Sequence, residues 1–319
     1  IADIILSTAS LFNFDLSEVF RLVRESGFEG VELMVTKRED TQSTPHLRRL
    51  TNDFGIAVRS IHAPFLFAAK KVWGDPRRKI DVSVAMARDL GADLVVVHLP
   101  YFWQWGYARW ASECLDSHAM GSGITVAMEN AMLVNLHRPI NLSLFNSLEE
   151  MKRFENLVFD TSHYAIAGID IFTAWDELGD RVRHIHLSNN YLKGIDDHAL
   201  PFEGRLPLDR FLRRLYRDGF DGKINDSTFA DIAVRFEDGT TYRFSQPASV
   251  NQFGLSLKVP GHEPLEMGWG THVVPFKKPI PQELKTMIGI VVEKPITFGG
   301  WELPSPRGGG SADCTEQGR

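Results

Sequence analysis

The run Leu94-Val95-Val96-Val97-His98 ("LVVVH", 94–98) places four apolar residues, three of them β-branched, directly before a histidine. A strand with one wet face alternates apolar and polar residues; a strand covered on both faces reads as a continuous apolar run. Runs of this kind recur along the chain at Ile4-Ile5-Leu6, Gly30-Val31-Glu32-Leu33-Met34 and Ile56-Ala57-Val58-Arg59-Ser60-Ile61-His62. Further runs are Ile124-Thr125-Val126-Ala127-Met128-Glu129, Leu157-Val158-Phe159-Asp160, Val182-Arg183-His184-Ile185-His186 and a weaker Gly222-Lys223-Ile224. Helical patterns lie between them. "DLSEVFRLVRESG" offers Asp15 or Ser17 as an N-cap and Gly27 as a stop. "DPRRKIDVSVAMARDLGA" opens at Asp75-Pro76 and closes at Gly91, and "FTAWDELGD" and "PLDRFLRRLYRDG" behave likewise. Eight strands alternating with helices predict an α/β protein of the (β/α)8 TIM barrel type. A doubly wound open sheet is the alternative, and no glycine-rich phosphate loop follows the first strand to support it.

The composition changes near residue 225. "IAVRFEDGTTYRF" predicts two alternating strands around an Asp238-Gly239 turn. Scattered prolines, "MGWGTHVVPF" and "IGIVVEKPITF" follow, with one short helical candidate around Gln282 to Met287. The expected organisation is a barrel over residues 1–224, an atypical β-rich C-terminal segment over 225–306, and a disordered tail over 307–319, where apolar residues are scarce.

The 319 residues are 43% hydrophobic and 24% charged, with a formal net charge of −6. That balance gives no broad electrostatic grip on nucleic acid. Cys114 and Cys314 are the two cysteines, too few and too far apart for a disulfide framework or a zinc finger, so a cytoplasmic location is expected. No run approaches membrane-spanning length and no basic-then-apolar leader opens the chain, whose first residue, Ile1, points to a trimmed start.

Polar residues mark the strand ends. His62, His98, Glu129, Asp160 and His186 each close a predicted strand. In a (β/α)8 barrel these C-terminal ends open onto one face, where catalytic groups gather. His163 lies just beyond Asp160 in "FDTSH", and Asp196 and His198 lie in "GIDDHALPFEG". Any one of them could be a hydrogen-bonded core residue. Carboxylates at the ends of apolar strands are costly to bury unpaired, however, and the set matches the ligand preferences of zinc, manganese and similar ions. His184 faces the same way as His186 but lies deeper, as a supporting or substrate-facing group. Trp103 and Trp105 in the loop "PYFWQWGYARW" are candidates to line a substrate, with Tyr107 and Trp110 nearby; packing of the following helix is the bland alternative. His46, His118 and His137 read as surface residues, and His262 and His272 carry no assigned role.

The pieces "IHAPF", "VVVHLP", "AMEN", "FDTSH", "HIHLSNN" and "DDHALPFEG", in this order, resemble the xylose isomerase-like TIM barrel superfamily. That group holds sugar-phosphate isomerases and epimerases and endonuclease IV. The resemblance spans residues 1–224. It implies one to three divalent ions (Zn, Mn, Mg or Co), with Glu129, Asp160 and His186 as ligands and His62, His98, His163, Asp196 and His198 as further ones. It implies a glutamate at the end of the eighth strand as a further ligand and as the acid/base partner of Glu129; the catalytic candidates present in this chain are Glu129 and His186. Here the chain departs from the pattern: "NDSTF" follows the turn "GFDGKI", the glutamate's place falls on Ser227, and Asp226 lies one residue off. A bulge re-aiming Asp226, a ligand from residues 228–319, or an incomplete site are the three outcomes open at this point.

The expected activity is isomerisation or epimerisation of a small sugar, sugar phosphate or polyol by metal-assisted proton transfer. The alternatives are cleavage of abasic DNA by a zinc cluster and a non-catalytic metal- or sugar-binding barrel. The C-terminal segment is a candidate subunit interface for a homo-oligomer.

Overall fold

The computed structural model describes residues 2–12, 14–65, 71–135 and 139–226, together with the segments 232–236, 241–244, 250–251, 254–257, 265–267 and 287–292. Eight parallel strands close a barrel. They are β1 (Asp3–Ser7), β2 (Val31–Met34), β3 (Val58–His62), β4 (Leu94–His98), β5 (Thr125–Glu129), β6 (Leu157–Asp160), β7 (Val182–Leu187) and β8 (Lys223–Asp226). β1 pairs with both β2 and β8, which closes the ring. The helices are α1 (Leu16–Ser26), α2 (Thr44–Phe54), α3 (Pro76–Leu90), α4 (Trp105–Met120), α5 (Leu148–Met151), α6 (Thr161–Ile166), α7 (Ile171–Leu178) and α8 (Leu208–Arg217). All eight predicted strands and the four predicted helical stretches are present.

Local chemistry sets the helix limits. The Asp75 carboxylate accepts from the backbone N–H of Arg77 and Arg78, satisfying two of the donors that the first turn of α3 leaves open. Pro76 lacks the N–H that would be orphaned there. Gly91 adopts φ +76° at the other end, a conformation glycine reaches without a Cβ clash.

Residues that pair across a parallel ladder point to the same side of the sheet. One chain of partners runs His98–Glu129–Val158–His184. Another runs Asp160–His186–Asn225, and Glu32 pairs with Ser60. These side chains face the barrel interior. One side of the interior is apolar: Leu94, Val96, Ala127 and Val158 pack together. The other side is polar, with Glu32, Ser60, His184 and Asn225 all at 0% exposure.

The chain divides into two compact units, residues 1–10 with 20–228 and residues 11–19 with 229–319. Within the second, Ile232–Phe236 pairs antiparallel with Thr241–Phe244, Ile232 opposite Phe244, as the hairpin pattern predicts. The turn itself lies outside the described residues. Met287–Val292 adds a third strand to that sheet, and Val250–Asn251, Gly254–Leu257 and Leu265–Met267 form another. Residues 282–286 of the helical candidate and the tail 307–319 lie outside the described residues.

Candidate metal centre

The strand ends deliver the predicted ligands to one mouth of the barrel. His62 Nε2 lies 3.3 Å from His98 Nε2 and 3.4 Å from Glu129 Oε2, and His98 Nε2 lies 2.9 Å from Glu129 Oε2. On the other side of the same carboxylate, His186 Nδ1 lies 2.9 Å from Glu129 Oε1 and 3.7 Å from Asp160 Oδ2. Glu129 therefore belongs to two triads, His62–His98–Glu129 and Glu129–Asp160–His186.

A third group is adjacent. His163 Nε2 lies 3.3 Å from Asp196 Oδ2, and His198 Nε2 lies 2.8 Å from the same oxygen. His163 follows Asp160 because Asp160 caps α6, its Oδ1 accepting from the His163 N–H. Asp196 and His198 come from the long loop between β7 and α8. That loop is fastened by paired backbone hydrogen bonds between Asn189 and Ala199, and by Asn190 Nδ2 donating to Ser162 Oγ.

Burial and charge act against each other here. Burial by itself would raise the Glu129 carboxyl, but His98 and His186 outweigh it and hold the group well below the usual carboxylate range. Asp196 is held low by His198 and His163 in the same way. Burial opposes the charge on His163, yet Asp160 and Asp196 push it up to about 10. Glu32 and Glu129 likewise raise His186 against its burial. Burial wins at His98 and His184, which are both lowered.

Three observations fit a bound cation. Glu129 Oε2 is buried and has no aligned hydrogen-bond donor, although two imidazole nitrogens stand close by. His62 Nδ1 faces the Ala63 carbonyl and His163 Nδ1 faces the Asn130 carbonyl. A carbonyl only accepts, so each Nδ1 carries a proton and Nε2 is the nitrogen turned to the site, available to a cation. Finally, zinc bonds of about 2.0 Å in a tetrahedron put neighbouring ligand atoms about 3.3 Å apart, close to the spacing of the two Nε2 atoms.

A cleft of about 140 Å³ opens beside His98, lined by Phe65, Lys79, Tyr101, Trp103 and Tyr107 among others. Phe65 stacks on His98 with ring centres 3.8 Å apart, and Trp103 stacks on Tyr101 at 4.7 Å. Trp105 begins α4, is 70% exposed and does not line this cleft. Trp110 lies away from it, edge-on to His118 and beneath Arg77.

Glu32 was not among the residues singled out from the sequence. It is fully buried in β2, and its Oε2 accepts from Ser60 Oγ at 2.9 Å and meets His184 Nε2 at 2.8 Å. Its Oε1 accepts from Asn225 Nδ2 at 2.9 Å and lies 3.1 Å from His186 Nε2. The signal was present: an ionisable residue inside an otherwise apolar run is as costly to bury mid-strand as at a strand end. His184 thus contacts a buried carboxylate below the mouth.

In β8 no register shift re-aims Asp226. Residues 223–226 pair in step with both β1 and β7. Asn225 points inward to Glu32, so the Asp226 side chain faces the opposite side of the sheet by alternation; its backbone carbonyl accepts from Ser10 Oγ. Ser227 lies outside the described residues.

A family model described as a xylose isomerase-like TIM barrel matches residues 20–235. The chain belongs to that family. An uncharacterized Mycobacterium tuberculosis protein is 30% identical over 242 residues, 69% of this chain and 86% of its own. Among solved structures, a D-tagatose 3-epimerase-like protein superposes with a TM-score of 0.52 at 22% identity, covering 71% of this chain and 90% of that one. A family 2 AP endonuclease from Brucella melitensis gives 0.54 at 20% identity, covering 70% and 92%. At these identities the likeness to the two structures is one of fold. Among the described residues no helix is long and apolar enough to cross a membrane.

Proposed function

We propose that this family member is a divalent-metal-dependent isomerase or epimerase of a small sugar, sugar phosphate or related polyol. The observation that carries the reading is Glu129, a buried ionised carboxylate set between two imidazole clusters with one oxygen lacking an aligned donor. Glu129, Asp160 and His186 would hold the cation, with His62 and His98 on the other Glu129 oxygen. A divalent cation there supplies Lewis-acid polarisation of a carbonyl or hydroxyl pair. Glu129 is the carboxylate placed to take a proton from the adjacent carbon. Trp103 and Tyr101 give the neighbouring cleft an aromatic wall against which the apolar face of a sugar ring can stack. In this reading residues 1–224 carry the activity, and the likeness in fold to a D-tagatose 3-epimerase-like protein lends it support.

The test is proton exchange. The protein, loaded with Mn²⁺, Co²⁺ or Zn²⁺, is incubated with a panel of ketoses and keto-sugars in D2O and followed by NMR. Deuterium incorporation next to a carbonyl on at least one substrate, lost in Glu129→Gln, is expected. Stoichiometric metal with no exchange on any substrate overturns the reading in favour of a binding barrel.

A second reading, metal-assisted hydrolysis of abasic DNA, draws on the extra group of His163, Asp196 and His198 and on the AP endonuclease neighbour. The net charge of −6 argues against it. Incision of an abasic duplex by the zinc-loaded protein decides for it.

A further inference from the structure

His186 stands between two carboxylates on opposite edges of its ring. Nδ1 meets Glu129 Oε1 at 2.9 Å in an aligned hydrogen bond, so in the metal-free protein Nδ1 carries a proton. Nε2 is fully buried and has no aligned hydrogen-bond partner, yet Glu32 Oε1 is 3.1 Å away. If Nδ1 is to bind a cation together with Glu129 and Asp160, it must give up that proton. A neutral imidazole then carries its proton on Nε2, in a closed interior, and Glu32 is the acceptor standing there.

We propose that Glu32 is a positioning residue for the metal centre: it receives the His186 Nε2–H when Nδ1 becomes a ligand, fixing the tautomer and the ring plane. The inference rests on the metal-site part of the proposed function and does not depend on the substrate. The step balances without another reagent. The charged ring of the metal-free protein releases its Nδ1 proton to solvent, keeps the proton on Nε2 that faces Glu32, and no electrons move.

The surroundings of Glu32 suit this role. Ser60 Oγ and His184 Nε2 hold its Oε2, and Asn225 Nδ2 holds Oε1 from the side. Every one of these partners is buried, so the carboxylate cannot swing away to water. A carboxylate behind a ligating histidine also makes that histidine more basic, and loss of such a partner lowers metal affinity by about 10–100-fold. Asn225 occupies the eighth-strand position that faces His186 in the ladder. An amide there steadies Glu32 without adding a second buried negative charge.

The test uses two measurements on the full chain. Calorimetry and the visible spectrum of Co²⁺ are recorded for wild type, Glu32→Gln, Glu32→Ala and Glu32→Asp, with folding checked by circular dichroism. Expected is a loss of Co²⁺ affinity of about 10–100-fold in Glu32→Ala, a smaller loss in Glu32→Gln, partial recovery in Glu32→Asp, and an altered Co²⁺ spectrum in each. Independently of any variant, 15N-histidine NMR of the wild type follows the His186 ring: a proton on Nδ1 without metal, and with Zn²⁺ a proton on Nε2 alone. Folded Glu32 variants with wild-type affinity and spectrum overturn the inference, as does a zinc-loaded His186 that is not protonated on Nε2. A wild-type protein that binds no divalent metal overturns the proposed metal site together with this inference. Wild-type binding with unaffected Glu32 variants removes the inference alone.

Discussion

His62 Nε2 and His98 Nε2 face each other 3.3 Å apart at the barrel mouth, with Glu129 Oε2 within reach of both. A proton can sit between two nitrogens only by favouring one of them. A cation can be shared by both and by the carboxylate, which otherwise keeps a buried oxygen without an aligned donor. Divalent metal is therefore expected to raise the thermal midpoint of the protein by several degrees, corresponding to about 2.7 kcal/mol when free metal is a hundredfold above Kd. Differential scanning calorimetry with and without chelator measures it. His98→Ala should shrink the increment; equal midpoints in metal and chelator would remove the centre from consideration.

Glu129→Gln keeps the shape of the side chain and removes its charge and basicity. Turnover on the responsive substrate should fall by at least about 10²-fold, since proton transfer by a positioned group is worth about 10²–10⁴. Elemental analysis of the same preparation separates loss of metal from loss of the base. Wild-type kcat in the variant would exclude Glu129 as the proton acceptor.

The metal-free protein has a defined pH response on the alkaline side. His163 is raised from its ordinary 6.5 to about 10 by Asp160 and Asp196, which outweigh burial. A group raised on folding stabilises fully below its unfolded value and loses that contribution as pH climbs through the folded one. Urea midpoints of the chelated protein should therefore decline between about pH 6.5 and 10, with His186 and His198, also raised, acting in the same direction. His98 and His184, which burial lowers, oppose the decline only near pH 6.5, where the unfolded chain still binds protons, and are neutral in both states above about pH 7.5. His163→Gln should flatten the decline. A midpoint that rises over the interval would contradict the assignment.

The two tryptophans named from the sequence should separate. Trp103 lines the cleft beside His98, and Trp105 stands 70% exposed at the start of α4. Trp103→Ala should raise KM about three- to tenfold, the equivalent of one aromatic contact, with kcat little changed. Trp105→Ala should leave both constants near wild type. Steady-state kinetics on the same substrate compares them directly.

Asp75 tests the scaffold rather than the site. Its carboxylate caps α3 through the Arg77 and Arg78 amides. Asp75→Ala should cost about 1 kcal/mol in a urea titration, with no change in metal affinity.

Much of the site was legible because it rests on local rules. Apolar runs ending in His62, His98, Glu129, Asp160 and His186 identify both the strands and the end of the barrel where their polar residues collect. Alternation along a strand puts His184 on the same side as His186, and it puts Asp226 on the face opposite the expected eighth-strand ligand. None of these readings needs to know which strand is beside which. The loop residues Asp196 and His198 stand out in the sequence by lying just beyond the seventh strand, and the structure brings them to His163.

Glu32 was decided only by the closed fold. In "GVEL" the glutamate interrupts an apolar run, which marks it as unusual, but the run alone does not separate a buried carboxylate from the wet position of a half-exposed strand. Its partners His184 and Asn225 lie 152 and 193 residues away in the chain. Those contacts exist because β8 pairs with β1 and the ring closes, which carries β7 and β8 round to the same interior as β2. Sequence periodicity fixes the side of a strand on which a residue lies. Which residue it then meets across the barrel is set by closure and stagger, properties of the whole ring that no single strand contains.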